Sequence, residues 1–362
     1  MTIFDMAYKV LKILILTVIT SAYALSVKAQ SDTSNVLLFD LKRFYNAGKY
    51  FEARKTAEKI RQNGKLSSEN NAEYMKYYSS VLRESGFETE ADSLVRVFVA
   101  KNPFYKTAQQ DPLPFQEMFS NFYAYPKFSI GFSAGICIPE VTVDTVHVIG
   151  NNEQTEPSYE NVIGASFELS LQYRPIKPLS ILTGIKYYFA QYSRALIQNA
   201  EIGMMNFDYE LIYKESTHFV AFPLYVGYAF DLGKWTPEVF VGGELDLMVK
   251  ANYETYNEIN DSQQSNYYKS NIDLQTKNRV NGALCAGFRI NRNYNRVSVF
   301  IDFTRAVLLR PYNNPEYNYS DNNLVYNKLY VPDALSLSLS TLRLGVKINF
   351  GYGVIAKYGY GY

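Results

Sequence analysis

From Pro126 to the end of the chain, apolar residues recur at every second position in eight successive segments. KFSIGFSAGICI sets Phe128, Ile130, Phe132, Ala134, Ile136 and Ile138 on one side. STLRLGVKINF does the same with Leu342, Leu344, Val346, Ile348 and Phe350. Between them come NVIGASFELSLQY, LSILTGIKYYFAQY, HFVAFPLYVGYAF, WTPEVFVGGELDLMV, VNGALCAGFRI and RVSVFIDFTRAV. A period of two marks β-strands with one apolar face, and each segment has about the 9–11 residues that a tilted strand needs to cross a bilayer. Alternation also suits a soluble sandwich, so the connections decide. RPIKP, DLGK and NRNYN are short, whereas 139–161, 192–217, 250–279 and 308–334 are long, and the two kinds alternate strictly. Outer-membrane barrels connect their strands in this way, with short periplasmic turns and long outer loops.

A closed barrel has no edge, so the last strand must return to pair with the first and every backbone hydrogen bond is met without water. The expected fold is mainly β with an α N-terminal segment: an eight-stranded antiparallel transmembrane β-barrel preceded by a small helical-hairpin periplasmic domain. One irregularity stands out. Leu335, Leu337 and Leu339 occupy odd positions, while the apolar set is even from Leu342 onward. A one-residue bulge near Ser340–Thr341 would restore the register.

The N-terminus reads as a signal peptide over 1–29. Lys9 and Lys12 precede the apolar run ILILTVITSAYAL, and the small residues Val27 and Ala29 suit a cleavage site before Gln30. The alternative is a membrane anchor, but a spanning helix needs roughly 20 apolar residues. Residues 30–103 form a helical domain. Apolar residues such as Leu37, Leu38, Leu41, Phe44 and Tyr45 recur at threes and fours, and Gly-containing breaks separate the runs. GKYFEARKTAEKI (48–60) and GFETEADSLVRVF (86–98) echo each other, each with Ala five residues after Gly. The echo resembles the tetratricopeptide repeat, in which a small Ala lets two helices pack closely; a generic four-helix unit is the alternative. Residues 104–125 are expected as a linker, 126–350 as the barrel and 351–362 as a periplasmic Gly/Tyr tail, with disorder favoured over a specific contact.

Net charge is +1, so nothing steers the chain toward nucleic acid. Tyr accounts for 33 residues against one Trp, and a ring with a polar end suits boundaries between water and lipid. Two Cys and two His exclude a disulfide scaffold and an obvious zinc site; no cofactor, metal or catalytic residue is expected. The inward parity carries Glu168, Lys186, Glu238, Glu244, Asp246, Arg279, Arg289, Asp302, Arg343 and Lys347. Charges in a narrow lumen must pair, so these are expected to form a structural plug, with a small-solute path as the alternative. Cys137 and Cys285 face inward on strands that are not neighbours and are expected as free thiols. His147 falls in an outer loop. His218 lies near the outer rim with Ser216 and Glu215, where a lipid-modifying enzyme would need a Ser–His–acid set, but adjacent strand residues point to opposite faces. Arg305, outward near the outer rim, could meet a lipid phosphate. The Asn- and Tyr-rich stretches 252–271 and 312–330 read as solvated loops or as an adaptable binding surface.

Residues 126–350 resemble the PorT-like outer-membrane barrels of Bacteroidetes, through FPLYVGYAFDLGKWTPEVFVGGELDLMV (222–249), GALCAGFRI (282–290) and LRLGVKINF (342–350). The resemblance implies a bacterial outer-membrane location and permits a link to the type IX secretion or gliding machinery. Together these features predict a non-catalytic anchor or scaffold. Its partners would be outer-membrane lipid or lipopolysaccharide and a protein met through residues 35–103. A lipid-modifying enzyme, or a narrow channel or surface-binding protein, is the alternative.

Overall fold

The computed structural model describes residues 35–63, 66–147, 158–202, 205–259, 262–317, 319–322, 324–325 and 330–357. The expected signal peptide and cleavage site lie outside these residues. The chain divides into a helical unit, Met1–Tyr125 with Tyr352–Tyr362, and a β unit, Pro126–Gly351.

The helical unit contains α1 (35–46), α2 (Tyr50–Asn63), α3 (Ser68–Glu84), α4 (Glu88–Lys101) and α5 (Leu113–Ser120). The sequence echo has a structural counterpart at its glycines. Gly48 and Gly86 both take positive φ, at 69° and 82°. Each sits in a turn where the next residue's N–H reaches back to a helix carbonyl, Lys49 to Phe44 O and Phe87 to Leu82 O, both 2.9 Å. That is the Schellman way to end a helix, which favours a residue without a Cβ. The alanines of the echo, Ala53 and Ala91, are fully buried in a core with Leu41, Val81, Val95 and Phe98.

The stretch expected as a linker is not one. Pro114 stands in the first turn of α5, and Phe115 and Met118 from α5 complete the helical core. Apolar residues three apart outweigh the Pro-rich composition that suggested a linker. The described part of the tail is ordered too: Val354 and Ala356 pack against the same core, and the Lys357 N–H donates to Asn121 O at 2.7 Å.

The strands are β1 (Phe122–Thr145), β2 (Ser158–Val162), β3 (Gly164–Tyr173), β4 (Leu179–Ile202), β5 (Met205–Ala229), β6 (Trp235–Ile259), β7 (Ser262–Asn271), β8 (Val280–Tyr294), β9 (Val297–Leu308) and β10 (Ala334–Ala356), of which the first residues of β1 and the last of β10 belong to the helical unit. The pairings run β1–β3–β4–β5–β6–β8–β9–β10 and back to β1, so eight antiparallel strands close a ring. β2 continues the β3 edge along β4, and β7 folds back on β6. The outward face is apolar: Leu169, Leu224, Val241, Leu284 and Leu344 are each more than half exposed. A continuous apolar exterior on a closed barrel is stable only in lipid.

Two expectations about the outer side fail. Residues 192–202, 205–217, 252–259 and 262–271 are strand rather than loop: β4 and β5 pair as far as Ile202 with Met205, and β6 pairs with β7 from Asn252 with Asn271. Strands of 24 and 25 residues reach roughly 80 Å, far beyond a bilayer, so half of each ribbon stands in water. The bulge near Ser340–Thr341 is also absent. β10 pairs with β9 without a shift from Ser338 to Ile348, and Leu335, Leu337, Leu339, Thr341 and Arg343 all face inward. Above the apolar belt the barrel's polarity reverses, so the odd leucines belong inside. A register shift does occur at His218/Phe219 against β6, where Val249 and Lys250 are both exposed and the inward parity changes from Met248 to Ala251.

Candidate functional site

The barrel interior at belt height is a chain of charged and polar side chains held by strands that pair in register. β3 sets Glu168 opposite Lys186 of β4, and β8 sets Arg289 opposite Asp302 of β9, which in turn faces Arg343 of β10. Arg343 Nε donates to Asp302 Oδ1 at 2.9 Å, its Nη1 bonds Glu168, and Arg289 Nη2 donates to Asp302 Oδ2 at 2.9 Å. Lys186 pairs with Glu244, which also accepts from Tyr225. Asp246 accepts from Tyr188 at 2.9 Å. Nearer the short turns, Glu238 accepts from Gln172 at 2.8 Å and from Ser180, with Arg174 Nη2 3.7 Å away; Lys347 donates to Gln172 Oε1 at 2.8 Å.

Nine of the ten residues singled out from parity are therefore buried in one lumen. Arg279 is not: β8 starts one residue later, at Val280, so strand parity does not govern it, and it is exposed. The buried cation there is Lys277. Arg174, Tyr188, Tyr225 and Gln172 also belong to the lumen and were missed, although the last three share the inward parity of their strands.

A second buried cluster stands above the belt. Lys277 Nζ lies 2.7 Å from Glu215 Oε1 and 2.9 Å from Oε2, and donates to Asn313 Oδ1 at 2.7 Å. Tyr192, Tyr213 and Tyr312 donate to the same carboxylate at 2.7, 2.8 and 2.6 Å. Burial alone would raise the Glu215 carboxyl, but Lys277 and the tyrosine hydroxyls hold it below the usual range. Burial lowers Lys277, with Glu215 opposing. Beside this cluster, Arg194 pairs with Asp333 at 2.9 Å, and Asp333 accepts from the Tyr159 hydroxyl and the His147 N–H.

The rim set considered for catalysis does not converge. Glu215 faces inward, committed to Lys277, whereas Ser216 and His218 face outward. Ser216 accepts from Gln191 at 2.6 Å, and His218 Nδ1 lies 2.7 Å from the Tyr187 hydroxyl. Arg305 is paired with Glu140 and bonded to Ser338 and Ser340. Cys137 and Cys285 are free and buried. Among the described residues no three His, Cys, Asp or Glu side chains gather to hold a metal.

These features define a closed β-barrel whose interior at belt height is packed with buried charged and polar side chains. No protein-family model matches the chain, nor does any curated protein. Solved structures that it resembles include neisserial surface protein A (12% identity, 63% of this chain and 99% of that one, TM-score 0.26). Others are the attachment invasion locus protein Ail of Yersinia pestis (13%, 61% and 98%, 0.22) and the outer membrane protein OprG of Pseudomonas aeruginosa (9%, 62% and 97%, 0.26). Scores of this size bear on neither activity nor partners.

Proposed function

We propose that this chain is a non-conducting outer-membrane anchor whose helical unit contacts a protein partner in the periplasm. The filled lumen carries the reading. Arg343 alone joins carboxylates from β3 and β9, and Asp302 also holds Arg289, so buried ion pairs tie strands together across the interior. A conducting pore would require those pairs to part, at several kcal/mol per ion.

The helical unit supports the partner. Phe39 and Phe51, large apolar rings, are 66% and 79% exposed among the described residues, apolar surface that a partner would cover. The resemblance to PorT-like barrels makes the type IX secretion or gliding apparatus the setting to test first. Lipid headgroups are the second partner. Lys250, Arg279 and Arg310 are exposed, and each neighbours in sequence an exposed apolar residue of the belt: Val249, Val280 and Leu309. Cations at that height suit anionic headgroups such as those of lipopolysaccharide.

Two measurements test the reading. In planar bilayers the purified full chain gives no single-channel current; steady conductance would refute the anchor. A photo-crosslinker at Phe51 in the native envelope captures a discrete protein that a crosslinker at the buried Phe98 does not; equal capture at both positions would refute the docking surface.

A further inference from the structure

At the end of the barrel where the short turns lie, the outward face of β8 changes character within a few residues. Phe288 and Ile290 belong to the exposed apolar belt, and Arg292 and Tyr294 continue the same face. The residue paired with Arg292 on β6 is Trp235, the one tryptophan of the chain. The Arg292 guanidinium carbon lies 5.1 Å from the Trp235 ring centre and 5.2 Å from that of Tyr294. Both rings remain open, Trp235 45% and Tyr294 51% exposed. A guanidinium laid against aromatic rings is attracted to them and keeps its N–H edge free for a ligand.

The charge around Arg292 is mostly of one sign. Residues 231–235 and 291–297 are described throughout, and their charged side chains are Asp231, Lys234, Arg292 and Arg296. The Lys234 carbonyl accepts from the Asn293 N–H at 2.9 Å, which joins the first stretch to the second. Lys234, Arg292 and Arg296 are all exposed. The carboxylate is already engaged: Asp231 is paired with Lys177 and accepts from the Gly233 N–H at 3.1 Å. A surplus of cations therefore stands at the edge of the apolar belt, beside a tryptophan, the ring that favours the headgroup level. Val239 on β6 and Ile290 on β8 lie on the belt side of it and would meet the acyl chains. Arg292 is two residues farther along the strand, about 7 Å, where a phosphate would lie. With Asp231 bound to Lys177, an ammonium headgroup finds little to pair with, so a phosphate without its own cation fits best.

We propose that Arg292, braced by Trp235 and Tyr294 and flanked by Lys234 and Arg296, binds the phosphate of an anionic phospholipid of the phosphatidylglycerol kind. A guanidinium edge can donate two parallel N–H bonds to phosphate oxygens. This site is at the opposite end of the strands from Lys250, Arg279 and Arg310.

Trp235, as the single tryptophan, reports on the site. The full chain is reconstituted into phosphatidylcholine vesicles containing rising fractions of dibrominated phosphatidylglycerol or dibrominated phosphatidylcholine, whose bromines quench indole on contact. Phosphatidylglycerol should occupy the place beside Trp235 in preference to phosphatidylcholine by about 3-fold or more, the order expected for an unpaired cation facing an anionic lipid. Arg292→Gln should bring that ratio to about 1; taking the ratio within each variant removes any change in the fluorescence of Trp235 itself. Lys127→Gln is the control. Lys127 is exposed at the same end, where its carbonyl accepts from the Arg174 N–H, but on β1, which lies across the ring from β6. Its loss should leave the ratio unchanged. Folding of both variants is checked by the mobility of the unboiled protein on gels. The proposal fails if the wild type shows no preference, if Arg292→Gln keeps it, or if Lys127→Gln lowers it as much, which would mean a diffuse basic rim. It also fails if inorganic phosphate erases the preference, because the site would then take the free anion. Neither the conductance of the barrel nor capture at Phe51 enters any of these outcomes, so failure here leaves the anchor reading standing.

Discussion

Leu339 and Arg343 stand four positions apart on β10 and face the same interior, yet Leu339 is packed in an apolar cluster with Leu335 and Leu337 while Arg343 is held by Glu168 and Asp302. Between them the barrel turns inside out. Below, the solvent outside is lipid and the interior must take the polar groups. Above, the outside is water, and burying leucine and tyrosine inside stabilises the ribbons by about 1.5–3 kcal/mol per large side chain. The reversal fixes where the bilayer ends without reference to any headgroup.

The same boundary predicts a difference along β5. Val226 and Lys214 share its outward face, twelve residues apart, with Val226 51% exposed in the belt. A fluorophore on Val226→Cys should be quenched by a lipid-borne quencher and protected from aqueous iodide; one on Lys214→Cys should show the opposite. Because Cys137 and Cys285 are buried, the folded chain labels at the new thiol. Equal aqueous quenching at both sites would mean that the belt does not face lipid.

Arg343→Met leaves Glu168 without its cation and Asp302 with Arg289 alone. Breaking a buried pair from one side costs about 3–5 kcal/mol, more than replacing both members. Urea titration of the barrel in detergent, read by the mobility of the unboiled protein on gels, should show that loss. Adding Glu168→Gln should recover part of it. A single variant as stable as the wild type would contradict the ion-pair account of the lumen.

Most of the barrel was legible in the sequence because lipid permits only one polarity outside, so parity sorted nine lumen charges correctly. It failed where that constraint lapses. Leu335, Leu337 and Leu339 were read as a slipped register because apolar was taken to mean outward, which holds only at belt height. Arg279 was counted inward because parity was carried one residue past the start of β8. Lys277 and Asn313, which build the upper cluster, sit in irregular segments where no period exists to read. Tertiary proximity alone joins Glu215 to a lysine 62 residues later.

The helical unit should weaken on the acid side. Lys76 Nζ lies 2.7 Å from Glu73 and 3.0 Å from Asp111, and Asp111 also accepts from Tyr105 and from the Ala108 N–H. Burial would raise the Asp111 carboxyl, but the Ala108 N–H, Tyr105 and Lys76 outweigh it and hold it below its usual value; burial of Glu73 is likewise outweighed by Lys76 and Lys42. A depressed carboxylate stabilises the fold fully above its unfolded value, about 4, and loses that contribution as pH falls through the folded one. Helical ellipticity in urea should therefore decline between about pH 5 and 2. Asp111→Asn should flatten that slope while lowering stability at pH 7. An unchanged acid slope in the variant would remove Asp111 from the account.

The tail gives the last test, because composition and packing disagree about it. Gly and Tyr suggested disorder, since ordering Gly costs backbone entropy. The chain nevertheless places Val354 and Ala356 on the helical core, sets Tyr352 5.5 Å from the Phe104 ring, and brings Gly353 so close to Tyr125 that a Cβ there would lie 2.7 Å from the ring. Gly is thus required by close approach, not by looseness. Truncation after Gly351 should destabilise the helical unit by about 1–3 kcal/mol from lost apolar burial, and Gly353→Ala should do so by forcing the Tyr125 ring aside. The belt, built from other residues, should keep its detergent-resistant fold in both. A truncated chain whose helices melt at the same urea concentration as the full one would show that the tail contributes no stability to the helical core.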